Sequence, residues 1–465
     1  MSSVFSERND FLTAPLGRLF LTNAVPMAVV MGMSGLLNIV DAVFLGRFVG
    51  PEALAAVSLS FPVVMVLIAL ASLIGGGMSS LFARHLGAKD KFSAAAIFTA
   101  AHGLALSIAG IFFIAFLFLG PAWLRMLAGR NSDIAQMAYV YLLILIGGSP
   151  IQFLMSLHAD AARNEGRAGF MAILSVCVTF ANIVLNYILI VGFGLGVAGS
   201  AWGTVAAQIL GLLLLLELRR RDNRLVPLSA LGGHSLWRNW PSILALGLPL
   251  SLSFIGMALV SAAVIVTLKL GSLPGYADSI AAYGIVTRIF GFAFMPLMAL
   301  ALATQTIIGT NTGAGLHCRA NAALRLAIVL AFGYCFMLES ALFAAHARIG
   351  FLFVDDPDLV KSIGTILRPM LVFYLFSGPI LIMALYFQAI GNAGRTAALL
   401  LLKPFFFAPL FIILFAALLG TQSLWFAFPA ADLTIMTVAV FLFVRPRLKE
   451  GSKGGTRRPV ERAAI

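Results

Sequence analysis

The feature that most constrains this chain is a series of apolar segments, each long enough to cross a lipid bilayer. A spanning helix needs about 20 predominantly apolar residues. The 465-residue sequence offers twelve such runs, near residues 18–46, 53–84, 92–120, 135–161, 168–192, 197–217, 241–269, 279–310, 322–346, 362–390, 396–418 and 423–444. Charged residues make up only 11% of the chain, against about 25% in soluble proteins. The sequence therefore predicts an all-α membrane protein with twelve transmembrane helices.

The Lys and Arg residues are unevenly shared between the two sides of these spans. They give the chain a net charge of +13. An even number of spans places both termini on one side, which carries 23 Lys and Arg residues; the other side carries seven, and Arg288 alone falls inside a span. Because cytoplasmic loops are enriched in Lys and Arg, the split predicts that both termini are cytoplasmic. The basic surplus is thus a topology signal, and we expect no nucleic-acid partner.

The sequence repeats weakly across a long basic loop, Arg219–Arg238, which separates two sets of six spans. Matching positions, 223 to 229 residues apart, pair Pro26 with Pro249, Gly87 with Gly313, Asn164 with Asn392, and Pro150 with Pro379. Six spans per half preserve orientation, so a pseudo-twofold axis along the membrane normal relates the halves. We predict two six-helix lobes: an N-lobe at 12–218, a cytoplasmic linker loop at 219–240, a C-lobe at 241–445, and a disordered cytoplasmic tail at 446–465. Two lobes facing a central cavity suit an alternating-access transporter.

Polar residues gather at one depth in the predicted N-lobe, and one of them is a carboxylate, Asp41. An ionised side chain inside a spanning helix costs at least about 2.5 kcal/mol, so it is commonly retained for a function. Polar stripes recur at helical spacing in three spans: Ser34, Asn38 and Asp41; Thr179, Asn182 and Asn186; and Ser200, Thr204 and Gln208. With a rise of about 1.5 Å per residue, Asp41 lies about 8–10 Å below the outer boundary, and the other stripes reach similar depths.

These stripes predict a pocket inside the N-lobe. We expect Asp41 to bind a coupling cation, H⁺ or Na⁺, while Asn38, Asn182, Asn186 and Thr204 shape its site. The alternative for the neutral side chains is helix packing, since Ser, Thr and Asn commonly bridge spanning helices. An unpaired carboxylate suits that structural role poorly, so the alternative applies least to Asp41.

Three more charged residues fall in the outer half of predicted C-lobe spans: Arg288, Glu339 and Asp432. A buried arginine beside two acids forms a charge-balanced structural set, and a contact with substrate explains the same residues equally well. Asp160, at the end of the fourth span, is expected to be an interfacial charge near Arg163.

The sequence contains no phosphate-binding loop, metal-ligand spacing or nucleophile constellation. The three cysteines lack a CxxC pair, and small core residues are the simplest interpretation of them. We therefore expect neither an enzyme nor a resident cofactor or metal, apart from Na⁺ as one candidate ion at Asp41.

Several short motifs together resemble one known family. The segments RNEGRAG, QAIGNAGR, AAYGIVTRI and WFAFPAADL, with the repeated Gly-Ala loops, look like those of multidrug and toxic compound extrusion (MATE) transporters, in particular the DNA-damage-inducible F-like bacterial branch. The resemblance covers residues 12–445. It implies two six-helix lobes and the export of organic, often cationic, compounds driven by proton or sodium entry. In the MATE pattern Asp41, Asn182 and Thr204 match pocket positions, whereas Asn186 stands where some members carry a second acid.

The sequence thus predicts a multi-pass antiporter of the bacterial inner membrane that exports drugs or toxins, acts on small organic substrates and works as a monomer. One alternative is a flippase for lipid-linked precursors from the same superfamily, which would favour a cationic cavity. A second alternative is a channel or receptor, against which the twofold repeat stands.

Overall fold

A computed structural model describes residues 9–128, 132–271 and 276–453 of the protein. In these segments ten helices are long and apolar enough to cross a membrane, and two further pairs of bent helices raise the number of spans to twelve. The predicted all-α architecture is confirmed. The twelve spans are labelled α1 to α12 in chain order.

The first six spans form the N-lobe. Their bounds are α1 Leu16–Phe48, α2 Pro51–Gly87, α3 Lys91–Ala128, α4 Ser132–Gly147 with Ser149–Asn164, α5 Ala168–Asn186 continued by a π-helical turn Tyr187–Gly192, and α6 Gly196–Arg221. A short helix, Asp10–Thr13, precedes α1.

The last six spans form the C-lobe. Their bounds are α7 Trp240–Leu270, α8 Tyr276–Gly313, α9 His317–Ala345, α10 Pro357–Leu371 with Ser377–Ala389, α11 Ala393–Leu402, Lys403–Phe407 (π-helical) and Ala408–Leu419, and α12 Thr421–Phe426 (3₁₀-helical) with Ala427–Lys453.

The fourth span of each lobe is broken at the position where the sequence repeats a proline. The two halves of α4 meet at 46° next to Pro150, and those of α10 meet at 52° shortly before Pro379. Proline lacks the N–H that would continue the helical hydrogen bonds, so it favours such breaks. In α10 the chain turns through Phe373, whose φ of 68° is left-handed, and a 3₁₀ turn, Tyr374–Phe376, follows.

The boundaries of the linker and the tail differ from those predicted. Helix α6 continues through Arg221, so the connection between the lobes comprises residues 222–239. Helix α12 extends to Lys453, past residue 446 where the tail was predicted to begin, and the disorder of the tail stays a prediction. Residues 454–465 of the predicted tail lie outside the described part of the chain.

The connection between the lobes is held against the N-lobe by one buried ion pair. Arg219 donates to both carboxylate oxygens of Glu165, at 3.0 and 2.9 Å. Glu165 also accepts from the backbone N–H of Val226 at 2.7 Å, and Arg219 donates to the Val226 carbonyl at 2.8 Å. Burial raises the pKa of Glu165, and the guanidinium of Arg219 opposes that rise. A long basic loop is thus ordered where it leaves α6.

The lobes are in close backbone contact at the end of the molecule where α1 begins, which we call the terminal face. There Gly87 packs on the backbone of Thr310, and Gly313 packs on the backbone of Arg84. A Cβ atom on either glycine would overlap the facing backbone. Both glycines, and both of their partners, are 226 positions apart, so the contact repeats itself about the pseudo-twofold axis.

A buried polar cluster, which we call the terminal latch, joins the lobes just inside this face. Its members are Ser79, Arg163 and Asn164 from the N-lobe and Gln305, Thr306 and Gln388 from the C-lobe. Arg163 is 1% exposed, and its Nη1 donates to the Leu302 carbonyl at 2.8 Å and to Thr306 Oγ1 at 3.3 Å. Thr306 in turn donates to Asn164 Oδ1 at 2.7 Å. The latch closes the boundary between the lobes at the terminal face.

Asp160 supports this latch from within the N-lobe. Its Oδ1 accepts from Arg163 Nη2 at 2.8 Å, one turn along the same helix. The expected proximity of Asp160 to Arg163 is therefore confirmed, and the pair lies beside the lobe boundary.

Candidate functional site

The carboxylate of Asp41 lies in the half of the molecule away from the terminal face, where α1 packs against α5. Its Oδ1 accepts a hydrogen bond from Asn186 Nδ2 at 2.5 Å. Asp41 is half-buried, whereas Asn186 is completely buried. The fold thus brings together two residues 145 positions apart, in agreement with their equal predicted depth.

A short hydrogen-bond network lies behind Asp41. Asn186 Nδ2 also donates to Asn182 Oδ1 at 3.0 Å, Asn182 Nδ2 donates to Thr204 Oγ1 at 3.3 Å, and Thr204 donates to the carbonyl of Ser200 at 3.1 Å. The amide orientations follow from this network of donors and acceptors. Asn186 therefore donates in two directions, to Asp41 and to Asn182, and the second bond fixes the amide group that faces the carboxylate.

One predicted member stands apart from this network. Asn38 is exposed, and its amide donates to the carbonyl of Ser34 at 2.9 Å, one turn earlier in α1. Its expected role in shaping the Asp41 pocket is not supported by these contacts. The amide of Asn38 is used within its own helix, whereas the carboxylate of Asp41 reaches Asn186 of α5.

Local backbone structure positions the pocket. Helix α5 changes from α- to π-helical geometry directly after Asn186, and such π-helical turns often occur at functional sites. Gly203 of α6 lies against the Asn186 side chain. The Oδ1 atom of Asn186 occupies the space that a Cβ atom at position 203 would need. Asn186 Oδ1 is buried there without a hydrogen-bond partner among the described residues. A glycine on α6 is therefore what allows this amide to be buried.

Sequence reasoning missed Tyr141. This residue of α4 is only 8% exposed and lies near the Asp41 carboxylate, with no hydrogen bond joining the two among the described residues. The signal was a polar aromatic side chain inside an apolar span, but its spacing from neighbouring polar residues follows no stripe.

The predicted C-lobe charge set is corrected by the structure. Asp432, 4% exposed, forms an ion pair with Lys403 and not with Arg288. Lys403 lies in the π-helical turn of α11, inside a span, although it was counted with the cytoplasmic loops. Without it that side carries 22 basic residues against seven, so the topology prediction is unaffected.

Glu339 accepts a hydrogen bond from the backbone and does not pair with Arg288. Its Oε2 accepts from the N–H of Leu375 at 2.7 Å, within the 3₁₀ turn that breaks α10. The N–H groups at the start of a helix lack intrahelical partners, and a carboxylate satisfies one of them here. Arg288 is exposed and, among the described residues, makes no ion pair or hydrogen bond.

The sequence model of the MatE family matches the chain twice, over residues 26–188 and 249–413. The chain belongs to the MatE family. The two matches divide between the two lobes, which agrees with the repeat seen in the motifs and in the contacts at the terminal face.

Relatives of this MATE transporter include proteins with different named substrates. It is 26% identical over 463 residues to the FAD transporter of Shewanella oneidensis, covering 97% of this chain and 99% of that protein. It is 25% identical over 443 residues to the multidrug export protein MepA of Staphylococcus aureus, covering 94% and 96%. Among solved structures, an outward-facing MATE transporter of the MOP superfamily matches with a TM-score of 0.86 and 25% identity, covering 95% and 98%.

Proposed function

We propose that this protein is a secondary active antiporter that exports organic, cationic or amphiphilic compounds in exchange for protons. The observation that carries the proposal is Asp41, a half-buried carboxylate in a spanning helix that accepts a hydrogen bond from the buried amide of Asn186, which a second bond to Asn182 holds in place. Membership of the MatE family, and relatives such as MepA, support drug or toxin export.

The groups that face Asp41 favour a proton over sodium. Hard cations require several oxygen ligands, whereas Asn186 turns its NH₂ group towards the carboxylate. A proton needs only one oxygen of Asp41. It removes the charge that the Asn186 hydrogen bond stabilises, and it leaves the carboxyl with one donor and one acceptor oxygen. Protonation is thus linked to the packing of α1 on α5.

This linkage supplies the coupling. With Asp41 protonated, the pocket tolerates a dry arrangement; with Asp41 ionised, the carboxylate requires water or a cationic substrate. A ligand shifts the equilibrium between two lobe arrangements only if it binds one of them better. The proton and the substrate compete for the Asp41 carboxylate, and we propose that each binds better to a different arrangement. The terminal latch holds one of these states.

We further propose that the terminal face is cytoplasmic and that the protein resides in a bacterial inner membrane. The excess of Lys and Arg on that side supports this orientation. We assign it transport rather than catalysis, action as a monomer and no resident cofactor. The placement in the DNA-damage-inducible F-like branch stays a prediction.

A second candidate substrate class is phosphate-bearing and flavin-like, because a relative that spans the whole chain is named an FAD transporter. A lipid-linked precursor flippase would need several cationic groups to hold a pyrophosphate, and Arg288 alone supports it weakly. A channel or receptor has less support, since the repeated lobes and the latch suit alternating access.

The test is substrate-stimulated ion flux in proteoliposomes, with pH and sodium gradients applied separately. We expect a pH gradient alone to drive exchange, and Asp41→Asn to abolish it while the protein remains folded and inserted. Asn186→Ala should reduce exchange less, because it trims the pocket and leaves the titrating charge.

Two results would contradict the proposal. Exchange at the wild-type rate in Asp41→Asn would remove Asp41 from the mechanism. Exchange driven only by the sodium gradient would replace the proton as the coupling ion.

A further inference from the structure

Arg288 lies inside a spanning helix, in the outer half of the C-lobe, and makes no ion pair or hydrogen bond among the described residues. Asp432 is paired with Lys403, and Glu339 accepts from the backbone of Leu375. Arg288 makes no such contact within residues 9–128, 132–271 and 276–453. An arginine at membrane depth is costly and marks a functional site by default.

The helical register places Arg288 at the boundary between the lobes. Arg288, Phe292 and Met295 lie at i, i+4 and i+7 on α8, and hence on one face. Met295 and Phe292 are the side chains closest to Gly35 of α1, across that boundary. Arg288 continues this stripe away from the terminal face, so it faces the N-lobe across the cleft.

Arg288 and Asp41 lie at the same depth along their helices. Arg288 is seven residues beyond Met295, and Asp41 is six residues beyond Gly35, both away from the terminal face. At about 1.5 Å per residue the two positions differ by roughly 2 Å along the helices. Asp41 is turned towards α5 within the N-lobe, whereas Arg288 lies on the face of α8 that meets α1, so the guanidinium is the charged group at this depth of the lobe boundary.

The chemistry of the guanidinium selects the ligand. Its planar fork matches a carboxylate or phosphate with two parallel hydrogen bonds. Phe292, one turn closer to the latch and 47% exposed, offers an aromatic surface beside it. A ligand that uses both has an anionic group next to a flat apolar body.

We propose that Arg288 is an anion subsite of the transport cleft, and that the substrates include amphiphiles bearing a carboxylate or phosphate together with an aromatic body. This inference rests on the proposed transport function. It specifies the amphiphilic substrates as zwitterions and anions, which are transported in addition to cations. A lipid headgroup carries the same phosphate chemistry, so the test distinguishes the two sources.

The test measures binding of rhodamine B, which has a free carboxylate, and of its ethyl ester, which lacks one, to the purified full-length protein in detergent. Arg288→Gln should weaken rhodamine B binding by about 10- to 100-fold, as expected for a lost charge-assisted contact, and leave the ester within about threefold. Arg288→Lys should be intermediate, because it keeps the charge and loses the fork. The matched control is Arg47→Gln, at the exposed end of α1, which should change neither affinity.

Equal changes for both dyes in Arg288→Gln, or no change for either, would overturn the proposal. A second measurement uses the wild type alone, so it does not depend on how a variant folds: pyrophosphate should compete with rhodamine B and not with the ester. If pyrophosphate does not compete with rhodamine B, the proposed subsite is overturned. If phosphatidylglycerol competes and pyrophosphate does not, the site binds a lipid headgroup and the substrate role is overturned. Binding in detergent needs no ion gradient, so these outcomes are separate from a failure of proton-driven exchange.

Discussion

At the scale of single residues, the charged side chains of this membrane protein differ in what surrounds them. Asp41 meets a buried amide, Asp432 meets Lys403, and Arg163 donates to four oxygens in the latch region. Arg288 is exposed and unpaired among the described residues. The same cost of a charge in a bilayer is therefore met by protein partners at Asp432 and Arg163, by a single amide at Asp41, and by exposure at Arg288.

Lys403→Gln should destabilise the fold by about 3 kcal/mol, because it leaves the Asp432 carboxylate buried without its cation. We expect a clear fall in the melting temperature of the detergent-solubilised protein. The double variant Lys403→Met/Asp432→Leu should recover most of the loss, since it removes both charges.

Arg288→Gln serves as the control for stability. Exposed and unpaired, it should change the free energy of unfolding by no more than about 0.5 kcal/mol. A Lys403→Gln protein that melts at the wild-type temperature would show that Asp432 is balanced in another way.

At the scale of elements, broken helices place functional groups. The fifth span of each lobe, α5 or α11, contains a π-helical turn, one directly after Asn186 and one beginning at Lys403. Asn186 is bonded to the Asp41 carboxylate and Lys403 to the Asp432 carboxylate. The break in α10 frees the N–H of Leu375, which Glu339 accepts. Irregular backbone at membrane depth is tolerated where neighbouring protein groups satisfy it.

Glu339→Ala should destabilise this break by about 1 kcal/mol, because the half-buried N–H of Leu375 loses its acceptor. Glu339→Gln retains an acceptor oxygen and should melt close to wild type. Both variants should retain proton-driven exchange. Loss of exchange in Glu339→Gln at normal stability would instead give the Glu339 charge a direct role in transport.

At the scale of the whole molecule, the polar latch and the paired glycines close the terminal face. A solved relative with the same fold is described as outward-facing. The latch is buried, so each of its hydrogen bonds is made without competition from water. Arg163 contributes most, since one side chain reaches both the Leu302 carbonyl and Thr306 across the boundary.

Arg163→Gln should shift the population towards arrangements that open at the terminal face, by about 10- to 100-fold in the equilibrium constant. Spin labels on the exposed Cys318 of α9 and on Ala88→Cys after α2, in a Cys177→Ser background, should report a longer distance. Arg221→Gln is the matched control, because Arg221 pairs with Glu217 within its own helix. An unchanged distance distribution in Arg163→Gln would mean that the glycine contacts alone hold the lobes together.

The sequence by itself determined the number of spans, the two-lobe repeat and the depth of the N-lobe pocket. Apolar length, Lys and Arg placement and helical spacing are local or periodic properties, and a bilayer makes them decisive because each span must satisfy its own backbone. The convergence of Asp41, Asn182, Asn186 and Thr204 followed from equal depth alone.

Tertiary structure decided which charges are partners. The depth of a residue and the helix that carries it do not specify how that helix is rotated against its neighbours. From the sequence, Arg288 was therefore a candidate partner for Asp432, whereas in the structure Lys403 forms the ion pair with Asp432. The same freedom hid the proximity of Tyr141 to Asp41, the exposure of Asn38 and the latch around Arg163. A pairing across helices depends on side-chain direction to within a fraction of a turn, and only the packed lobes fix that direction.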